Sequence, residues 1–240
     1  KDPCHLVFLY LMIYRLISTY IVEGIGMRDK LRLLVVCIVM PLTLLAGCST
    51  PQSVPLTVEN RSPIKNIHIE KNVSKPSAIY WRGTAQAWGG ALFGALGALA
   101  TADAGMTDAE KMVKFMEKND IDISEIAYSE VSRQMAELKT YQISSVEKSD
   151  ATLTLAVDMY GFNKTHPFGT NMNPMIRMTA KLSKPNNEII WQESEFVSDF
   201  ASENDQGQPL ETYQNEPAKL RAALAKASQV TVKRLLVKLK

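Results

Sequence analysis

Few side chains here can form or break bonds, and their spacing limits what they can do. The cysteines are Cys4, Cys37 and Cys48, and the histidines are His5, His68 and His166. Neither His68 nor His166 stands beside a second His, a Cys or a carboxylate cluster at the spacing a metal requires, so no metal ligand set is expected. H-E-x-x-H, C-x-x-C and G-x-S-x-G are absent, and no glycine-rich phosphate loop follows a strand pattern. The expectation is a chain without catalytic residues and without a cofactor. One thiol has a distinctive setting. Cys48 closes Leu45-Ala46-Gly47-Cys48, directly after the apolar run Leu33–Leu44.

A short cationic start, Met27-Arg28-Asp29-Lys30-Leu31-Arg32, precedes that run. A charged head, an apolar middle and small residues before a cut make a secretory signal. The run is shorter than the ~20 apolar residues a spanning helix needs, which weighs against a transmembrane segment ending in a cysteine. Leu45-Ala46-Gly47-Cys48 resembles the lipobox of bacterial lipoproteins. The resemblance implies a diacylglyceryl group on the Cys48 thiol, cleavage between Gly47 and Cys48, and acylation of the new amino group. Ser49 follows the cysteine where an Asp would imply inner-membrane retention, so the same resemblance implies sorting to the periplasmic face of the outer membrane. Residues 1–26 are read as an extension upstream of a start at Met27, residues 27–47 as the signal peptide, and residues 48–62, rich in Pro and small polar residues, as a lipidated tether.

Processing changes the composition. Five of the 27 basic and three of the 25 acidic residues precede Cys48, which leaves 22 of each. The remainder is neutral, so nucleic acid is not an expected partner. Cys48 is then the last cysteine, and no internal disulfide is possible.

Residues 63–240 read as one α+β domain. Ile67-His68-Ile69-Glu70 alternates as a half-buried strand does, with His68 on the polar phase. Ala78–Trp81 reads as a second short strand. Thr107 and Glu110 form a capping box ahead of a helix carrying Met112, Phe115 and Met116. Asn119-Asp120 ends it, and Ser124 is expected to cap the next helix, with Ile126, Val131, Met135 and Leu138 inward. Tyr141–Val146 and Ala151–Tyr160 read as strands, Gly161–Pro174 as a polar loop, Met175–Leu182 as a strand, and Lys184–Asn187 as a turn into Glu188–Phe196. Ala201–Gln208 reads as an acidic link, and Asn215 as the cap of a final helix with Pro217 in its first turn. That helix has seven basic residues and no acidic one after Glu216. Two readings stand for them: contact with an anionic surface, or a solvated face with cations favoured near the C-terminal dipole.

The least ordinary stretch is Gly83–Ala102, which is uncharged and belongs to a Gly/Ala-rich segment, residues 83–105. On a helix Gly90, Gly94, Ala98 and Ala102 form a stripe of small residues, opposite Trp88, Leu92 and Leu96. The stripe is a candidate contact for close backbone approach, in self-association or at a membrane. The plainer reading is a closely packed segment of the domain, because glycine weakens a helix.

This order predicts an α+β fold: a largely antiparallel sheet with helices on one face. The helix Ser124–Leu138, then Tyr141-Gln142-Ile143, Ser149–Leu155 and the hairpin ending Glu188-Ile189-Ile190-Trp191, resembles envelope lipoproteins with a TolB-N-terminal-like sandwich. The resemblance implies a non-catalytic, lipid-anchored bacterial envelope lipoprotein that docks onto or assists an envelope protein assembly. The alternative is a membrane-active or self-associating lipoprotein that uses residues 83–102.

Overall fold

The computed structural model describes residues 53–82, 106–164, 170–198, 200–204 and 207–239. The chain divides into two compact units, Lys1–Thr50 and Pro51–Lys240, and all described residues belong to the second. Their fold is α+β, with antiparallel ladders at its centre.

The scaffold is a long hairpin of β4 (Ala151–Lys164) and β5 (Asn171–Ser183). Leu153, Leu155 and Val157 alternate inward with Thr152, Thr154 and Ala156, the period-2 pattern of a strand with one buried face. A bulge between Val157 and Met159 resets that phase and turns Tyr160 and Phe162 inward. On one side β4 pairs in parallel with β1 (Asn66–Ile69) near its start and with β2 (Tyr80–Arg82) near its end. β3 (Gln142–Ile143) extends the sheet beyond β1. On the other side β5 pairs antiparallel with β6 (Ile189–Val197) and, past the end of β6, with the two-residue β7 (Gln208–Pro209).

Helices pack on the inward phase. α1 (Val58–Arg61) is a single turn capped by Thr57. α2 (Asp108–Lys118) carries the expected capping box, with the Glu110 carboxylate accepting from the Thr107 amide at 2.7 Å, and buries Met112 and Met116. α3 (Ile123–Glu137) packs on β4 and on the long α5 (Pro217–Val237), which covers β5 and β6. Leu220, Leu224, Ala227, Leu235 and Leu236 of α5 are buried, as their spacing requires. Trp191, fully buried, fills the centre of β6. In the turn between β5 and β6 Asn187 adopts φ 65, the left-handed conformation that Asn tolerates in a turn.

The structure corrects several expectations. Asp122, not Ser124, caps α3: its carboxylate accepts the Ser124 amide at 2.7 Å. Gly161–Pro174 is not one loop, because β4 runs to Lys164 and β5 starts at Asn171. Asn163 and Asn173 are cross-strand partners and buried, so polar residues here lie within the sheet. Pro174 is tolerated in β5 because β6 has already ended and no ladder bond needs its N–H. The strand expected at Tyr141–Val146 shrinks to Gln142–Ile143 and gives way to a 3-10 turn at Val146–Lys148, since Ile143 and Val146 find no buried face. Ala201–Gln208 holds a 3-10 turn, Ser202–Asn204, whose Asn204 is fully buried. Asn215 does not cap the last helix. It ends a separate short helix, α4 (Leu210–Asn215), and α5 begins at Pro217 after Glu216, without a side-chain cap.

Candidate functional site

Every residue singled out for a site (Gly47, Cys48, Gly90, Gly94, Ala98 and Ala102) lies outside the described residues, as does His166. His68 is described. It is half-buried on β1, with Nδ1 3.3 Å from the Ser144 carbonyl, and so ties β1 to the chain after β3. Among the described residues no three His, Cys, Asp or Glu side chains converge on a point that could hold a metal ion.

The carboxylates that stand out act as clamps. Asp150 Oδ2 accepts the amides of Lys65 at 2.9 Å and Asn66 at 2.8 Å. Those two backbone bonds, the Asn66 one larger, hold its carboxyl below the ordinary carboxylate range. Burial raises the pKa of Asp122, but hydrogen bonds from Lys75 and Ser124 and the Lys75 charge together bring it below its ordinary value. Thr179 Oγ1 donates to Asp158 Oδ2 at 2.5 Å, across the hairpin at its bulge.

Two places gather polar groups from distant parts of the chain. The first is the far end of the hairpin. Asn204 Nδ2 donates to the carbonyls of Pro174 at 2.6 Å and Ser198 at 3.1 Å, so one side chain bridges the gap between β6 and β7. Tyr213 Oη donates to the Met172 carbonyl at 3.1 Å and accepts the Gln208 amide at 3.2 Å, and burial pushes its pKa up to about 12. Its ring packs 5.8 Å from that of Phe162, which lies 6.2 Å from Trp81. Gly161 belongs here too, since a Cβ on it would come within 1.8 Å of the Tyr80 carbonyl oxygen. No sequence pattern marks this cluster, apart from glycine in a strand, a sign of close backbone approach.

The second place lies where the described chain begins. Val54 bridges to β6: its amide donates to the Gln192 carbonyl at 2.8 Å, and the Gln192 amide returns a bond at 2.9 Å. Ser53 Oγ donates to Glu193. Glu193 and Glu195 occupy the inward phase of β6 with Trp191 and Val197, and between them they hold Lys238 at the end of α5, at 3.2 and 2.7 Å. The hydrogen bond to Glu195 holds the Lys238 ammonium pKa above its ordinary value, and Glu193 adds to it. Leu56 packs against the core. Residues 53–62, the described part of the segment read as a tether, are therefore fastened to the domain. The signal available in the sequence was the i, i+2 pair of carboxylates on the same strand phase as Trp191 and Val197.

A groove of about 800 Å³ opens beside this cluster, between α3 and α5. Arg133 of α3 pairs within its own helix, to Glu130 at 2.8 Å and Glu137 at 2.6 Å. On α5, Arg234 reaches Glu203 at 2.6 Å, and its hydrogen bond holds the Glu203 carboxyl below the ordinary range. Lys226 donates to Gln229 Oε1 at 3.1 Å. Lys226 and Lys233 line the groove and form no ion pair among the described residues. Arg234 and, just past the end of α5, Lys238 thus hold neighbouring elements in place.

Among the described residues no helix is long and apolar enough to cross a membrane. No protein-family model matches the chain, and no curated protein matches it. Among solved structures, a DUF330-family protein from Xanthomonas campestris is similar at 17% identity over 47% of this chain and 58% of its own, with a TM-score of 0.33. A PelC dodecamer from Paraburkholderia phytofirmans is similar at 10% identity over 78% of this chain and 93% of its own, with a TM-score of 0.36. A lipoprotein from Neisseria meningitidis is similar at 16% identity over 55% of this chain and 81% of its own, with a TM-score of 0.24.

Proposed function

We propose that this chain is a non-catalytic bacterial envelope lipoprotein, anchored through lipid on Cys48, whose folded domain docks onto an envelope protein assembly. The lipobox carries the reading: Leu45-Ala46-Gly47-Cys48 ends an apolar run behind a cationic start. The fold supports it from the other side. Ser53, five positions after the cysteine, is held by Glu193, and an extended chain of that length reaches about 18 Å at most. A lipid on Cys48 would therefore hold the domain close to a bilayer surface. The described carboxylates and amides fasten elements to one another, as Asp150, Glu193 and Asn204 do, which fits a scaffold better than a reaction centre. Ser49 favours the periplasmic face of the outer membrane.

The anchor is tested by growing cells with a labelled fatty acid. Label is expected in the wild type and absent from Cys48→Ser, which also keeps its signal peptide. Two or three acyl chains give stable attachment, so the wild type should stay with membranes after a salt wash. Label in Cys48→Ser would refute the assignment. In-cell crosslinking of the wild type then identifies the docked protein.

A further inference from the structure

We infer that the C-terminal end of α5 is a contact surface for anionic phospholipid headgroups, a reading that rests on lipidation of Cys48. Ser53 and Lys238 share the Glu193 carboxylate, which places Ser53 beside the end of α5. With Cys48 at most about 18 Å of chain from Ser53, a lipidated chain keeps this end of the helix near the headgroups. The residues there suit that position. Val237 is 58% exposed, a large apolar side chain on the last turn. Lys233 lies exposed one turn before it, and Lys226 continues the same row two turns further back.

The neighbouring acids do not cancel this row. Glu193 and Glu195 are taken up by Lys238, Glu203 by Arg234, and Glu137 by Arg133. Lys233 acts on Glu203 through its charge alone, and Lys226 bonds only an amide oxygen. Two lysines therefore remain to meet an anionic surface, each contributing about fivefold to the contact equilibrium, with Val237 as the apolar tip. An acidic protein segment would meet the same lysines. The bilayer is favoured because at most about 18 Å of chain separates the lipid attachment point from Ser53.

The test uses the lipidated full chain carrying Val237→Cys, labelled there with an environment-sensitive fluorophore and reconstituted into vesicles. Fatty-acid incorporation at Cys48 is measured on the same preparation. The expected result is a blue shift in phosphatidylethanolamine–phosphatidylglycerol vesicles, none in phosphatidylcholine vesicles, and reversal by salt. Lys226→Gln with Lys233→Gln should weaken the contact about 25-fold, two lysines at about fivefold each. Incorporation without a blue shift overturns this inference and leaves the lipoprotein reading intact. No incorporation overturns the lipoprotein reading itself. A blue shift produced only by adding an acidic polypeptide overturns the bilayer as the occupant in favour of a protein.

Discussion

The two halves of the β4–β5 hairpin are closed by different means. In one half, residues 151–153 pair with β1 and residues 176–183 with β6, and the β5–β6 ladder repeats the same bonds residue after residue. In the other half, residues 161–163 pair with β2 and residues 171–172 with the two-residue β7, and singular contacts do the rest of the closing: Asn204 at Pro174, Tyr213 at Met172, and the bare backbone of Gly161 against Tyr80. A ladder shares its load among equivalent bonds. A closure made of singular contacts has no spare, so this half should open first in local unfolding.

Trp191→Ala, in the ladder half, should have the largest effect, a loss of about 3–5 kcal/mol in the unfolding free energy measured by urea denaturation. A smaller loss than for the variants of the other half would reverse the comparison. Gly161→Ala forces a methyl group onto the Tyr80 carbonyl and should cost about 2–3 kcal/mol. Faster amide exchange at Tyr80–Arg82 would mark β2 as the element that moves, and unchanged exchange there would count against the close approach. Asn204→Ala removes one buried and one part-buried bond to backbone carbonyls and should cost about 2 kcal/mol. Its footprint should be confined to residues near Pro174 and Ser198. Loss of protection throughout β6 would show that the two halves are not separable.

The smallest effect is acid dependence at Asp150. Its folded pKa lies below the ordinary 3.8, so its stabilisation is present above that value and lost as pH falls through the folded pKa. Wild type and Asp150→Asn should differ in melting temperature near neutral pH and converge in strong acid. A difference that persists in acid would mean the clamp does not depend on charge.

The ladder half was legible in the sequence because its pattern keeps one period. Leu153, Leu155 and Val157 announce a strand, and Ile190-Trp191 its partner. The other half was read as a loop because the bulge at Val157/Met159 resets the period, just before a run of Asn, Gly and Pro residues that resembles turn composition. α4 was missed for a related reason: Leu210 and Tyr213, its buried residues, fill too little of a window to show a helical period. The lipobox was legible because a peptidase reads it as local sequence. The Ser53–Glu193–Lys238 cluster was not, since it joins residues 140 and 45 positions apart, which only the fold brings together.

The bridge from Val54 to Gln192 has a mechanical consequence. Tension that reaches the chain at Ser53 meets two backbone bonds and one serine hydroxyl at the sheet margin. These bonds peel in sequence, whereas the β4–β5 and β5–β6 ladders are not loaded until they have parted. Once released, the chain up to Leu56, which packs against the core, becomes slack that lengthens the leash without unfolding the core. Val54 thus works as a mechanical fuse, giving way at low force so that the domain behind it keeps its shape.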